Sequence, residues 1–273
     1  MLNPISLATA TELIERTDFV WHQRFELSAG VFTPGVSDVE LLLNRAGIPS
    51  DLTGLSVLDI GATNGGTAFA LERRGATDVT AIDIYDPDRF GFNVIRDALG
   101  SRAKFHRMSV YELSARMDRQ FDIVIFWGVL YHLRHPLLAL DNLRSVTAGR
   151  AYIETAVCDH EMAQWGNLPI TRFYRHDELA NDGSNWFAPN VRTLLDWCQS
   201  CGLEPESVES WPEELPIRAM VATSVAPGVP EYQTMSYEQT LRCSVFDAAN
   251  ESSSGDTAEV GGAGRSQRVM PEN

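Results

Sequence analysis

Short apolar runs alternate with helix-like stretches along the middle of this chain. Strands are predicted at 55–60, 79–83, 102–108, 121–126 and 150–156, with helices at 66–74, 88–99 and 136–147. Such alternation favours a parallel sheet with helices on both faces. A further helix at about 190–201 precedes two strand-like stretches at 203–210 and 217–225. The pattern therefore predicts an α/β, Rossmann-like doubly wound sheet of about seven strands, and it permits an antiparallel end.

The segments that flank this core carry weaker patterns. Residues 1–50 predict an N-terminal lid, with a short helix at 11–16, an extended stretch or edge strand at 21–33, and a helix that opens at the capping box Ser37 to Glu40. We assign 51–226 to the core domain and 158–190 to an insertion that covers the substrate. Residues 227–273 form a tail, and from about 248 its Ser, Gly, Asp and Glu composition predicts disorder.

The amino-acid composition limits the classes of partner that this chain is expected to bind. The chain has 273 residues and a formal charge of −15, which repels polyanions, so a nucleic-acid substrate is not expected. Four cysteines do not make a disulfide framework for a chain of this length, and neither a secretory leader nor a membrane-spanning run is visible. We therefore expect a cytoplasmic protein that acts on a small molecule and does not bind a membrane. If the protein assembles, we expect a homo-oligomer.

The most informative stretch is the turn after the first predicted strand, from Gly61 to Gly66. A glycine turn between a strand and a helix admits a ligand to the backbone, and the N–H groups at the helix start are expected to face that ligand. The next strand ends at Asp83, whose carboxylate is placed to bind ribose hydroxyls. Thr63 breaks the dinucleotide fingerprint, and Asp59 would repel a pyrophosphate but tolerate an ammonium group. An amino acid attached to a ribose fits these residues better than a dinucleotide does.

With these residues the chain resembles the class I S-adenosylmethionine-dependent methyltransferases. Their pattern Asp-x-Gly-x-x-x-Gly stands here as Asp59, Gly61 and Gly65, with Asp83 as the ribose-binding acid. The resemblance implies S-adenosyl-L-methionine as cofactor and an antiparallel C-terminal strand in the sheet. The residues predicted to contact the cofactor are Asp59, Gly61, Ala62, Thr63, Gly65, Asp83, Ile84, Ser109, Val110 and Trp127.

Two strand ends carry candidate catalytic groups. Ligands of open α/β sheets lie outside the carboxyl ends of the strands, so Tyr131 and His132, in the loop after the fourth strand, are expected to face the acceptor. His132 suits a general base, or alternatively it caps the following helix or bonds to the backbone. Glu154, at the end of the fifth strand, orients or deprotonates a hydroxyl, or holds a divalent ion together with Asp159 or His160. Alternatively, it pairs with an arginine or with Tyr131. No spacing of ligands demands a metal, and we predict none.

A closer resemblance concerns the stretches 128–137, 152–155 and 185–190. They are similar to the branch that contains the tRNA wobble-uridine carboxymethyltransferases. That resemblance implies that Tyr131 and Arg218 match residues that bind the carboxylate of carboxy-S-adenosylmethionine. The lysine that completes the branch's carboxylate site has no counterpart at 21–33, which contains Arg24. The residues predicted to contact substrate are Trp21, His22, Arg24, Trp186, Asn190 and Arg218.

Together these patterns predict transfer of a methyl group to a hydroxyl of a small polar metabolite or a sugar. Two alternatives stay open. One is a tRNA wobble-uridine carboxymethyl- or methyltransferase, and the other is a non-catalytic subunit that binds the cofactor and regulates a partner.

Overall fold

The computed structural model describes residues 5–16, 18–213 and 216–227. A seven-stranded sheet forms its centre. Its strands are β1 (Ser56–Ile60), β2 (Asp78–Asp83), β3 (Lys104–Arg107), β4 (Phe121–Trp127), β5 (Thr147–Ala156), β6 (Leu203–Trp211) and β7 (Arg218–Val225). The α-helices are α1 (Leu7–Ile14), α2 (Val39–Arg45), α3 (Gly66–Arg73), α4 (Phe92–Leu99), α5 (Leu113–Arg116), α6 (Pro136–Ser145), α7 (Asp159–Met162) and α8 (Val191–Ser200).

The strands follow the order β3-β2-β1-β4-β5-β7-β6 across the sheet. The pairs from β3 to β5 are parallel, whereas β7 runs antiparallel to both β5 and β6. This confirms the predicted Rossmann-like fold with its antiparallel C-terminal strand. The reversal has a consequence for the site, because the first residue of β7 lies beside the last residues of β5.

Alternating side chains of each central strand enter different cores. Val57 packs with Ile123 and Ile125 on one face of the sheet, together with α1 to α4. Leu58 packs with Val124 and Phe126 on the other face, with α5, α6 and α8. A strand that is buried on both faces reads as a continuous apolar run, which is why the sequence pattern located the central strands well.

Several elements differ from their predictions. The helix predicted at 88–99 is divided, because Gly91 takes a left-handed φ of 69° between a 3₁₀ turn at Pro87–Phe90 and α4. The stretch 21–33 does not join the main sheet and forms only short local pairs. Asp38 rather than Ser37 caps α2, and its carboxylate accepts a hydrogen bond from the Leu41 N–H at 3.0 Å.

The predicted tail from residue 228 onward lies outside the described residues. Among the residues that are described, no helix is long and apolar enough to cross a membrane.

Candidate functional site

The glycine turn after β1 has the tight backbone that the sequence indicates. Gly61 and Gly65 have φ values of 80° and 85°. A Cβ on Gly65 would lie 2.6 Å from the Phe69 ring, and one on Gly61 would collide with Val129. Thr63 also takes a left-handed φ, of 45°, which is rare for a β-branched residue and costs free energy. The position where related turns have a glycine is therefore strained here.

Asp83 at the end of β2 holds this turn in place. One carboxylate oxygen accepts a hydrogen bond from the Thr63 N–H at 3.0 Å, and the other accepts one from the Tyr85 N–H at 3.0 Å. Each oxygen keeps a further lone pair for a ligand hydroxyl. Ile84, which follows directly, is 56% exposed and offers an apolar surface beside the carboxylate.

Asp59 lies beneath the turn and is buried. Burial raises the pKa of its carboxyl to about 7, although the Ala68 N–H donates a hydrogen bond to it. Among the described residues, its Oδ2 has no hydrogen-bond partner, and neither has the buried Thr63 hydroxyl. A buried carboxylate oxygen without a donor is costly, so this atom is suited to a cationic ligand group such as an ammonium. The residues present thus fit an amino-acid nucleoside.

Asn64 joins the turn to the N-terminal segment, a role that its place in the sequence did not reveal. Its Oδ1 accepts hydrogen bonds from the N–H groups of His22 and Gln23 at 2.7 and 2.9 Å. Its Nδ2 donates to the carbonyls of Val20 and Phe90 at 2.9 and 2.7 Å. A fully buried amide with four partners has no hydrogen-bonding capacity left, so its function is to position neighbours.

Gln23 reinforces the same junction. Its Oε1 accepts a hydrogen bond from the Gly66 N–H at 2.7 Å, and its Nε2 donates to the Thr67 hydroxyl at 3.3 Å. The first N–H of α3 is therefore bound by the protein, contrary to the expectation that it faces a ligand. A Cβ on Gly66 would also lie within 3 Å of the Phe25 ring, so the N-terminal segment packs directly on the turn.

The ends of β4 and β5 meet the start of β7 at the same edge of the sheet. Trp127 pairs with Glu154, and Arg218 pairs with Ala156. Side chains two residues apart share a face, so Arg218 and Glu154 are diagonal neighbours. Arg218 donates from Nε and Nη2 to the two Glu154 oxygens at 2.5 and 2.7 Å.

Glu154 is buried, and it also accepts a hydrogen bond from the Gly128 N–H at 3.0 Å. Both of its oxygens are therefore in use, which is the pairing that we weighed against a catalytic role. Tyr131 lies against the same arginine, with its ring centroid 4.9 Å from the Arg218 guanidinium carbon. Trp127 is 9% exposed at the end of β4, and its buried indole N–H has no partner in the part of the chain that the structure describes.

His132 and His22 lie close to this cluster. The His132 ring centroid is 4.3 Å from that of Tyr131. Burial lowers the pKa of His132, and the charges of Arg218 and His22 act in the same direction. Burial also lowers the pKa of His22. The charge of Asp83 opposes this effect, and the charge of Arg218 adds to it. The structure thus brings groups from the N-terminal segment, β2, β4 and β7 to one edge of the sheet, with two neutral imidazoles among them at pH 7.

The segment 158–190 supplies the partner of His132. Nδ1 of His132 lies 2.9 Å from the Ser184 hydroxyl oxygen and 3.4 Å from the Ser184 carbonyl oxygen. The Ser184 hydroxyl in turn donates to Asp182 Oδ1 at 2.7 Å. Turn-forming residues at 181–184 indicate a loop, but nothing in the sequence showed that this loop reaches His132.

Two residues predicted to bind substrate have other partners. Asn190 is 4% exposed and caps α8, and its side chain bonds Thr193, Ile170 and Leu168. Its hydrogen-bonding groups are used inside the protein, so we reassign it to support of the 158–190 segment. Arg24 pairs with Asp38 at 2.7 Å within the N-terminal segment, which satisfies its charge there.

The other residues predicted to contact substrate or cofactor pack against neighbouring parts of the protein. The Trp186 ring stacks under the Arg134 guanidinium at 4.2 Å, and the backbone N–H of Trp186 donates to the Tyr131 carbonyl at 2.8 Å. The Trp21 ring packs edge-on against Phe19 at 4.9 Å. After β3, Ser109 forms a capping box with Glu112 at the start of the next turn.

Ala62 and Val110 are buried apolar side chains beside the two predicted cofactor loops. Neither Asp159 nor His160 joins Glu154 in a metal site, since no group of three or more His, Cys, Asp or Glu suited to a metal occurs among the described residues.

Comparison with known proteins decides the family. The model of a family described as methyltransferase domain matches residues 20–208. The chain belongs to this methyltransferase family. It is an S-adenosylmethionine-dependent methyltransferase of class I, as the glycine turn and Asp83 indicated.

Solved structures agree on the fold. The N-terminal domain of EvdMO1, in a crystal structure in the presence of S-adenosylhomocysteine and D-fucose, is 20% identical, with a TM-score of 0.57. The alignment covers 81% of this methyltransferase and 95% of that chain. The 1,6-didemethyltoxoflavin-N1-methyltransferase of Burkholderia thailandensis is 19% identical, with a TM-score of 0.51 over 69% and 76% of the two chains. Magnesium protoporphyrin IX methyltransferase of Synechocystis PCC 6803 is 15% identical, with a TM-score of 0.51 over 69% and 81%.

Proposed function

We propose that this methyltransferase methylates a hydroxyl group of a small polar metabolite or a sugar, with His132 as the general base. The observation that carries the proposal is the environment of His132. Its ring lies beside Tyr131 at the carboxyl edge of the sheet, with Nδ1 held by Ser184 and its pKa lowered by burial. An imidazole that is neutral at pH 7 and fixed through one nitrogen can accept a proton at the other.

The cofactor would be held by Asp59, Asp83 and the turn from Gly61 to Gly65. When bound, S-adenosylmethionine supplies a sulfonium methyl group, which moves to the acceptor oxygen while the electron pair of the broken C–S bond stays on sulfur. The protein has to align the acceptor oxygen with that methyl and receive the hydroxyl proton at Nε2 of His132. Proton removal matters because an alcohol oxygen is a poor nucleophile until its proton leaves.

Glu154 and Arg218 act in this proposal as a fixed pair that shapes the acceptor side. Glu154 is 3% exposed on its side chain and holds both Arg218 and the Gly128 N–H, so it is better placed to orient Arg218 than to take a proton. Arg218 remains 30% exposed on its side chain and stacks on Tyr131. Its uncovered part and the Tyr131 ring offer a polar and a flat surface for the acceptor.

Two observations support a sugar-like acceptor over a polynucleotide. The formal charge of −15 disfavours an approach by RNA. The structurally similar N-terminal domain of EvdMO1 was crystallised in the presence of a sugar, D-fucose. The arrangement of Arg218 against Tyr131 favours one alternative, a carboxylated cofactor and thus carboxymethyl transfer to tRNA. The relative affinity for S-adenosylmethionine and carboxy-S-adenosylmethionine separates the proposal from this alternative.

The first test is calorimetric binding of S-adenosylmethionine, S-adenosylhomocysteine, carboxy-S-adenosylmethionine and NAD. We expect the first two to bind and NAD to fail. Asp83→Ala should abolish binding, since it removes the acceptor for ribose and loosens the turn at Thr63. Preferential binding of carboxy-S-adenosylmethionine would replace the proposal by the tRNA alternative.

The second test is transfer of a labelled methyl group to a panel of sugars and hydroxylated metabolites, with unmodified tRNA as a separate arm. His132→Gln should bind cofactor normally and lose transfer, whereas His135→Gln is a matched control. His135 is exposed three residues further on, and its ring lies 6.0 Å from Tyr111. Equal turnover by wild type and His132→Gln would remove the base assignment. Cofactor binding with no transfer to any arm would favour the regulatory subunit.

A further inference from the structure

The loop at 181–184 belongs to the segment after β5, yet it holds the imidazole after β4. Three polar groups form a line there. His132 Nδ1 contacts the Ser184 hydroxyl at 2.9 Å, and that hydroxyl contacts Asp182 Oδ1 at 2.7 Å. The Ser184 N–H also donates to Asp182 Oδ1, at 2.8 Å. The carboxylate is therefore anchored to the same residue whose hydroxyl it binds.

The direction of these hydrogen bonds follows from the available protons. An ionised carboxylate only accepts, so the single hydroxyl proton of Ser184 points to Asp182. The hydroxyl oxygen can then only accept from His132, and the Ser184 carbonyl, 3.4 Å from the same nitrogen, can also only accept. Nδ1 must carry the proton in the neutral ring, which leaves the lone pair on Nε2.

We propose that Ser184 and Asp182 are positioning residues that select the Nδ1-protonated tautomer of His132, so that Nε2 is free to accept a proton. The role of that nitrogen in methyl transfer rests on the proposed function, but the tautomer itself does not. Ser184 and Asp182 need not touch the acceptor. They act through His132. The packing of the 158–190 segment, which carries both residues, therefore determines the tautomer of the proposed base.

The charges around the ring agree with this arrangement. Hydrogen bonds from the Ser184 hydroxyl and N–H lower the pKa of Asp182, which is thus ionised at neutral pH. The groups whose charge acts on His132 are Asp182, which favours the imidazolium, and Arg218 and His22, which oppose it. Asp182 would therefore stabilise the imidazolium that forms when Nε2 takes a proton, while burial keeps the resting ring neutral.

The test reads the tautomer directly, without substrate or cofactor. The full chain is labelled with ¹⁵N-histidine, the six histidines are followed by NMR between pH 5 and 9, and His132→Gln assigns the signal. We expect Nδ1 to be protonated and Nε2 unprotonated in the wild type at high pH. The opposite tautomer in the wild type would overturn the proposal without any variant.

Two variants separate positioning from simple folding. Asp182→Ala removes the acceptor of the Ser184 proton. That proton can then be donated to Nδ1, so the Nδ1-protonated form should lose its dominance and the pKa of His132 should fall by about half a pH unit. Ser184→Thr keeps the hydroxyl and should retain the wild-type tautomer. An unchanged tautomer and unchanged pKa in Asp182→Ala would contradict the proposal, and a shift of the same size in Ser184→Thr would assign the effect to packing.

Once an acceptor that the protein methylates is identified, the pH dependence of steady-state kinetics gives a second readout. In Asp182→Ala the acid limb of the kcat/KM profile should move to lower pH, because the Asp182 charge that raises the pKa of His132 is lost. The value of kcat should fall, with KM nearly unchanged. The NMR experiment can contradict the proposed tautomer while His132 is still required for methyl transfer. Conversely, the tautomer can be confirmed while His132→Gln retains methyl transfer, which would contradict only the proposed function.

Discussion

Replacement of Asn64 by alanine should detach the N-terminal segment from the glycine turn. The side chain is fully buried and makes four hydrogen bonds, two accepted from His22 and Gln23 and two donated to Val20 and Phe90. A net contribution of about 1 kcal/mol per bond gives a loss of roughly 4 kcal/mol. For a protein of this size that corresponds to a fall in Tm of about 8–16 °C.

Asn185→Ala is the matched control. Within the described ranges, Asn185 is 3% exposed and donates one side-chain hydrogen bond, to the Leu179 carbonyl at 2.7 Å, while its Oδ1 has no partner there. The same substitution there should cost about 1 kcal/mol or less. The comparison cancels what is common to any buried Asn→Ala change and isolates the additional bonds at Asn64.

Two assays measure the effect. Urea denaturation gives the free energy of unfolding, and amide hydrogen exchange reports on the residues directly attached. The N–H groups of His22 and Gln23 lose their acceptor in Asn64→Ala, so their exchange should accelerate far more than that of β1 or β4. Affinity for S-adenosylhomocysteine should fall as well, because the turn is held from one side only. An Asn64→Ala variant no less stable than Asn185→Ala, with unchanged exchange at 22–23, would refute this account of how the segment is held.

Three further changes test the turn and the sheet edge. Thr63→Gly should raise stability by about 1 kcal/mol, because glycine adopts the left-handed φ of 45° without strain, whereas Thr63→Ala should not; thermal unfolding distinguishes the two. Affinity for S-adenosylmethionine should rise on the order of thirtyfold from pH 5.5 to 8 as Asp59, whose pKa burial raises to about 7, becomes ionised; calorimetry of Asp59→Asn should show no such dependence. For stability the sign is opposite, since a raised folded-state pKa makes wild type lose stability between about pH 4 and 7, and Asp59→Asn should not show that loss. Glu154→Gln should cost roughly 3 kcal/mol in urea denaturation by leaving Arg218 unpaired, and the added change Arg218→Met should recover part of it; a double variant no more stable than Glu154→Gln would contradict the pairing.

The sequence by itself determined the fold and the cofactor. Strands buried on both faces, such as β1 and β4, are continuous apolar runs between turns, so their order along the chain predicts a parallel sheet. The glycine turn and Asp83 are local features, because φ values and a strand-end carboxylate are set within a few residues. Local signals failed where two candidates competed, as when Asp38 rather than Ser37 became the cap of α2.

Only the tertiary structure decided how distant groups pair. Nothing near Glu154 in sequence shows that the antiparallel direction of β7 brings Arg218 beside it, 64 positions later. The same holds for Ser184 and His132, which are 52 positions apart. It also holds for Asn190, which the sequence predicts as a substrate contact but whose side chain caps α8. A hydrogen bond depends on distance and direction between side chains, and these are fixed by packing of the whole sheet and its insertions.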